Sequence, residues 1–460
     1  MRLTFRISRL LLSIFLIASC GHAVPTARPI ETATRLAIKN EMSGWWRDVV
    51  FYEIFVRSYA DSNGDGTGDF NGITQKLDYL QNLGIGGIWL MPIHPSPSYH
   101  GYDVINYYAV NPDFGTMDDF RHLLNEAHKR NIRVIIDMVL NHTSNQHPFF
   151  KSALDPASPY RDWYIWADKP QPWGNWHETP SGFYYGFFCN CMPDLNYANP
   201  SVTDQMLKMT KFWLADVGVD GFRIDAAKHL FEVDGKVENV PATHEWFAKF
   251  YRDYKVINPQ VYTVGEVYGA GAFLANTYQN QMDQIFNFEL ASGLVNSANA
   301  GVTSAVESAY KFSLSDMPNG DYATFLTNHD QNRVMTALNG NVDKAKVAAA
   351  LLLTAPGTPF IYYGEEIGMT GAKPDEMIRT PMQWSAAANA GFTTGTPWEL
   401  LNPDYARGVN VAAQIEDPIS LLSYYRTLIQ LRNSHPALQT GGVTPLTLSL
   451  IHISEPTRPY

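Results

Sequence analysis

Eight short apolar runs recur between residues 49 and 363, and segments with apolar residues at helical spacing separate them. Strand–helix alternation of this kind builds a parallel sheet with crossover helices. Eight such units in order complete a closed (β/α)8 barrel. The expected strands are 49–56, 87–92, 133–140, 221–225, 261–266, 284–288, 322–328 and 358–363. The expected helices are 73–82, 117–130, 205–217, 245–256, 303–312, 342–354 and 419–432. Three runs carry an acid at or just beyond the C-terminal tip: Asp225, Glu266 and Asp330. A charge there adds nothing to a core, whereas catalysis in such a barrel sits at its C-terminal face. Two carboxylates facing one bond are what glycosidic cleavage needs.

The chain of 460 residues, 45% hydrophobic and 13% aromatic, is long enough for one barrel over 43–436 with appendages. Between 141 and 196 the alternation stops in a stretch rich in Trp, Tyr, Pro and Gly. A loop of that length is usually functional, and an irregular subdomain inserted after the third strand is expected. A net charge of -11 argues against nucleic acid, which selects basic faces. Aromatic faces stack on sugar rings, although most of these aromatics are expected in the core. Cys189 and Cys191 are one residue apart, and on extended backbone their side chains point apart. Free or partly buried thiols are therefore expected.

The chain starts with Arg2, Arg6 and Arg9 around a short apolar stretch, 10–18, too short to span a bilayer. It ends in Ile17-Ala18-Ser19-Cys20, which resembles a bacterial lipobox. The resemblance implies a lipoprotein signal peptide over 1–20, lipidation of Cys20 and a tether over 21–42. Export to the cell surface or periplasm is then expected, with membrane contact through the lipid anchor only. At the other end, 448–460 resembles the conceptual translation of a sequencing-library adapter and is expected to be a non-native tail. Residues 437–447 would then be the remnant of a truncated C-terminal domain. A monomer is expected.

Asp137-Met-Val-Leu-Asn-His142, Gly221 to His229, Gly265-Glu-Val-Tyr268 and Phe325 to Asp330 resemble the four ordered sequence regions of glycoside hydrolase family 13, the α-amylase family. Met192-Pro-Asp-Leu-Asn196 and Gly357 to Glu366 match two further regions, so the resemblance spans about 44–435. It implies a TIM barrel, a C-terminal β-sandwich and a retaining double displacement. Asp225 would be the nucleophile, held ionised by Arg223 two residues earlier on the same strand face. Glu266 would be the general acid and then the base, and Asp330 would stabilise the transition state. In a retaining enzyme the nucleophile and acid stand about 5–5.5 Å apart. The resemblance also gives substrate contacts to His142, His329 and Arg333, and makes Tyr102 a platform beneath the sugar with His100 nearby.

Ala226, Lys228 and His229 resemble the α-amylases acting on α-1,4 chains, in which Lys and His meet the sugars beyond the cut. Relatives cleaving α-1,6 bonds tend to carry Val after the nucleophile. Exo-acting relatives have an acid near the position of Tyr99. Both details imply internal cleavage of starch-like glucans and maltooligosaccharides. Arg379-Thr-Pro-Met-Gln-Trp384 instead resembles the oligosaccharide α-glucosidases. Oligo-1,6-glucosidases, sugar-forming isomerases and transglycosylases of the family therefore stay open, as does a non-catalytic carbohydrate-binding homologue.

Asp61-Ser-Asn-Gly-Asp-Gly-Thr-Gly-Asp69 places oxygen-bearing side chains at every second position, which suits a hard cation. A loop like this after the first strand binds calcium in the family. The expected ligands are Asp61, Asn63, Asp65, Asp69 and the carbonyl of Thr67. A second family calcium would use Asn141, the carbonyl of His229 and an acid at position 196. That position is Asn196 here, so a second calcium is not expected.

Overall fold

A computed structural model describes residues 44–443, apart from 270, 318, 319 and 442. Cys20, the signal peptide, the tether and the tail over 448–460 lie outside the described residues. So do residues 442 and 444–447 of the C-terminal remnant, whose described start lies in a single helical turn, Pro436–Gln439.

The eight expected strands all form: β1 Phe51–Ile54, β2 Gly87–Leu90, β3 Arg133–Met138, β4 Gly221–Ile224, β5 Tyr262–Gly265, β6 Gln284–Ile285, β7 Ala323–Thr324 and β8 Thr358–Tyr362. Each pairs in parallel with the next except β6 with β7, and β8 returns to β1. A parallel bridge between Phe286 and Ala323 joins the remaining edges, so the sheet closes as a TIM barrel. No helix among the described residues is long and apolar enough to cross a membrane.

The two-residue period of a strand sorts the side chains. Tyr52, Ile54, Ile88, Leu90, Val134, Ile136, Phe222 and Ile224 belong to the large cluster between strands and helices. Phe51, Trp89, Ile135, Tyr262, Val264, Phe286, Phe325 and Phe360 make a second cluster inside the barrel. Phe51 stacks on Phe360 at 4.5 Å, and Trp46 stacks on Tyr262 at 5.0 Å. Two residues further along the same inward faces come Glu53 after Phe51, Asp137 after Ile135 and Glu266 after Val264. The apolar plug is thus followed by a polar layer, and that layer faces the C-terminal mouth.

Helices wrap the barrel. Met117–Lys129 opens with a full capping box between Thr116 and Asp119. Pro200–Lys211 runs on into a π-turn at Phe212–Val217, where one continuous helix is expected from sequence. Leu421–Ser434 carries Arg432, which donates to the carbonyls of Leu353, Ala355 and Gly357 and so caps Val342–Thr354. Phe288–Ala300 is a helix that the sequence pattern did not reveal. Gly293 at its centre lets Ala309 of the neighbouring helix approach so closely that a side chain would meet it at 2.6 Å.

The inserted segment is ordered. A short helix, Pro148–Ala153, precedes a three-stranded antiparallel sheet with Gly182–Tyr185 between Trp166–Ala167 and Trp176–Thr179. A bridge between His142 and Asp194 ties its end back to the residues that follow β3, and one between Tyr164 and Leu195 closes the segment on itself.

Candidate active site

Arg223 stands at the centre of the polar layer and is 1% exposed. Its Nη1 donates to Asp225 Oδ1 (2.6 Å) and Asp137 Oδ1 (2.8 Å). Its Nη2 donates to Glu266 Oε2 (2.8 Å). One planar fork therefore holds two strand-end carboxylates side by side, which a point-charge lysine could not do. The same Glu266 oxygen accepts the backbone N–H of Ala226 at 3.1 Å. Ala226 itself has φ 44°, ψ 40°, a left-handed conformation unfavourable for an alanine. The strain sits directly after Asp225, where the strand turns out of the barrel.

Three acids on one guanidinium cannot all ionise freely in a buried site. Burial is the largest influence on Asp225 and pushes its carboxyl up; Arg223 pulls it down, while Glu266 and Asp137 push it up again. Burial likewise raises Asp137 against the pull of Arg223. Burial works against the charge of Arg223, but the surrounding acids more than restore it. Burial thus holds the Asp225 and Asp137 carboxyls above the usual carboxylate range, with Arg223 opposing it at both.

Asp330 lies in a different environment. Burial raises its carboxyl, but His329 and Arg379 outweigh it and hold it below the usual range. Arg379 donates to Asp330 Oδ1 at 2.9 Å and to the His329 carbonyl at 3.0 Å. His329 Nδ1 meets Glu53 Oε1 at 2.5 Å, and its Nε2 meets the Tyr102 hydroxyl at 2.7 Å. Burial lowers the His329 pKa, yet Asp330 and Glu53 raise it overall. Tyr102 lies parallel to the His329 ring (centroids 5.7 Å, 16°) and donates to Asp137 at 3.2 Å.

The mouth is a cleft of about 730 Å³. Asp225, Glu266, Asp330, Tyr102, His142, Lys228 and His229 all line it, so seven residues from different strands and loops meet in one place. His142 donates to the Tyr102 carbonyl at 3.3 Å, and burial pushes its pKa down to about 3, so it acts as a neutral donor–acceptor. Lys228 is paired with Glu238 at 2.7 Å. His229 donates from Nδ1 to the Val237 carbonyl at 3.0 Å, and burial lowers its pKa.

Arg333 does not line the cleft. It is 2% exposed, donates to the Tyr363 carbonyl at 2.6 Å, and lies over the rings of Tyr362 and Tyr363. The arginine that reaches the third acid is Arg379, which sequence reasoning treated only as a subgroup marker. Glu53 and Asp137 were also missed as supports. An acid at the inward register of an otherwise apolar strand was the available signal for both.

Two further expectations need correction. Cys189 and Cys191 form a disulfide, with Cα atoms 5.2 Å apart. The backbone is not extended there: a turn at Asn190–Cys191 lets Met192 N–H donate to the Cys189 carbonyl at 3.2 Å. The acid facing Asn141 is Asp194, not position 196; the Asn141 amide donates to Asp194 Oδ2 at 3.0 Å. Asn196 turns away and donates to the Asp162 carbonyl.

In the loop from Asp61 to Asp69, Asp61 accepts the N–H groups of Asn63, Gly64 and Gly66 and the Thr393 hydroxyl. Asp65 accepts from Asn63 and Thr67, and Asp69 caps helix Phe70–Gln75 while accepting from Ser62. Among the described residues no cationic side chain pairs with any of these three carboxylates. Among the described residues no group of three or more His, Cys, Asp or Glu side chains is placed to hold a metal ion, and the loop's carboxylates are met instead by backbone N–H, amide and hydroxyl donors.

Breaking a glycosidic bond calls for two carboxylates acting on it together, and a barrel that supplies them in one cleft is a glycoside hydrolase. The chain belongs to the α-amylase family: the family model described as "Alpha amylase, catalytic domain" matches residues 53–441. It is 42% identical to Alpha-amylase 3 of Dictyoglomus thermophilum, over 96% of this chain and 86% of that protein. It is 36% identical to an oligo-1,6-glucosidase of Parageobacillus thermoglucosidasius, over 86% and 85%. Its structure resembles that of the α-amylase from H. orenii with a TM-score of 0.78 and 44% identity, over 85% of this chain and 83% of that one.

Proposed function

We propose that this glycoside hydrolase is a retaining, endo-acting α-amylase that hydrolyses α-1,4-glucosidic bonds in starch-like glucans and maltooligosaccharides. The observation that carries the reading is the shared Arg223 fork, which sets Asp225 and Glu266 side by side at the cleft floor. Asp225 attacks the anomeric carbon as Glu266 protonates the departing glycosidic oxygen. A glycosyl ester forms on Asp225. Glu266, now a carboxylate, takes a proton from water, and the resulting hydroxide displaces Asp225 with a second inversion. Asp330, kept anionic by Arg379 and His329, accepts hydroxyls of the reacting sugar and stabilises its positive charge. Tyr102 supplies the apolar floor under that sugar.

Lys228 and His229 in the cleft wall support α-1,4 chains extending beyond the cut. The link from Arg379 to Asp330 favours the oligosaccharide α-glucosidase as the second reading. A product profile on soluble starch, maltotriose, isomaltose and pullulan separates the two. Rapid loss of iodine staining from starch supports internal cleavage; preferential isomaltose hydrolysis refutes it.

The loop over 61–69 is proposed to hold one Ca2+, with Asp61, Asn63, Asp65, Asp69 and the Thr67 carbonyl as its oxygen donors. It would stabilise the loop and take no part in the bond cleavage. The enzyme is proposed to act as a monomer, exported and anchored through lipid on Cys20. Release of a Cys20→Ala protein from the membrane fraction checks that anchor.

A further inference from the structure

Phe188 is 45% exposed, a large apolar ring left open to the cleft. Its ring lies 5.3 Å from that of His142 and 5.9 Å from that of His229. Phe187 beside it lies on His229 at 3.9 Å. If Glu266 protonates the leaving oxygen, the leaving sugars lie on the Glu266 side of the cut, away from Asp330. Lys228 and His229 mark that side, and the two phenylalanines form its wall.

Neighbouring residues of this loop are well tied. Phe187 N–H donates to Asp194 (3.0 Å), and its carbonyl accepts from Asn175 (2.6 Å). The Asn190 carbonyl accepts from Tyr184 (2.6 Å) and Asn145 (3.2 Å). Among the described residues, the backbone of Phe188 makes no hydrogen bond. The Cys189–Cys191 disulfide begins at the very next residue. Inside that ring Cys191 N–H donates to Cys189 Sγ at 3.2 Å. Gly186 lets the loop fold back, since a side chain there would meet the Cys189 carbonyl at 2.7 Å. A ring spanning so few residues removes little entropy from the unfolded chain, because that effect grows with loop length. Its effect is therefore local.

We propose that the Cys189–Cys191 disulfide is a positioning element for the leaving-group side of the cleft, fixing Phe188 as the surface on which the departing glucan stacks. The assignment rests on Asp225 serving as nucleophile and Glu266 as proton donor. It makes the two cysteines determinants of how well the enzyme uses sugars beyond the cut, with no part in the bond cleavage itself.

The test compares maltohexaose, which fills both sides of the cut, with α-maltotriosyl fluoride, whose leaving group is fluoride and which leaves that wall empty. First, iodoacetamide without reductant should leave Cys189 and Cys191 unlabelled; labelled thiols overturn the proposal. For Cys189→Ser/Cys191→Ser, kcat/KM for maltohexaose should fall roughly tenfold, with KM carrying most of the loss. Turnover of the fluoride and the melting temperature should stay near wild type. Phe188→Ala, with the disulfide intact, should show the same selective loss. If wild type cleaves both substrates and the double variant lowers both equally or neither, the proposal is overturned alone. If wild type hydrolyses the fluoride but not maltohexaose, the α-1,4 reading fails and the proposal falls with it.

Discussion

Replacing Arg223 by glutamine removes the guanidinium that Asp137, Asp225 and Glu266 share, while keeping a side chain of similar length that can still hydrogen-bond. Asp137 is fully buried and Asp225 is 8% exposed, so water replaces the lost cation only poorly. A neighbouring positive charge depresses a carboxyl pKa by roughly one to three pH units. Its loss should lift the Asp225 carboxyl further and move the acidic limb of the kcat/KM profile upward by that amount. Each pH unit below the limb costs tenfold in ionised nucleophile, equivalent to about 1.4 kcal/mol. Activity near pH 6 should therefore drop about 10- to 1000-fold and recover partly as pH rises. Stability should move the other way. Raised carboxyls favour the fold only while protonated, so the variant should lose more stability at pH 8 than at pH 5. Removing one partner of a buried ion pair costs about 3–5 kcal/mol, and circular dichroism at both pH values would confirm that the variant folds. The assay is maltohexaose hydrolysis from pH 4 to 9. A uniform loss at every pH, with the limb unmoved, would refute the claim that Arg223 sets the charge of the nucleophile.

Asp225→Asn should lower kcat by at least about a thousandfold with little change in melting temperature, because the amide cannot form the glycosyl ester; calorimetry and reducing-sugar release check both halves. Chelation with EDTA should lower the melting temperature, and calcium at about a hundred times its Kd should restore about 2.7 kcal/mol. Asp65→Ala should abolish that calcium response while leaving the acids of the cleft intact. Glu365 is 3% exposed and accepts from the Tyr425 hydroxyl at 2.9 Å, and burial pushes it up to about 8 from 4.5. Its contribution is present below about pH 4.5 and is lost as pH rises through about 8. Thermal melts from pH 5 to 9 should accordingly be less pH-dependent for Glu365→Gln than for the wild type.

The barrel was legible because strand signals are local. Apolar runs such as 133–138 and 358–362, bounded by turns, reveal their period and length without reference to the rest of the chain. Phe288–Ala300 was hidden because glycine and polar residues interrupt its apolar pattern, and their roles are tertiary: Gly293 makes room for Ala309, Ser297 accepts from Val306 N–H and Asn299 accepts from Lys344. The acids were legible for the same reason as the strands that carry them. Their supports were not. Whether Arg333 or Arg379 reaches Asp330 depends on how the chain returns after β8, and the nearer residue in sequence is the one turned beneath the floor. Glu53 is 276 residues from His329, and no local pattern pairs them. The cysteine pair was misjudged by assuming extended backbone where a turn brings the two Cα atoms to 5.2 Å.

Catalysis as proposed depends on Asp225 forming a covalent glycosyl ester while Glu266 serves as acid and then base. Proton NMR of maltohexaose hydrolysis in its first minutes, before the anomers equilibrate, reports on this directly. Two inversions at one carbon predict that the newly formed reducing ends appear as the α-anomer. First appearance of the β-anomer would mean a single displacement by water, and would contradict the roles given to both carboxylates.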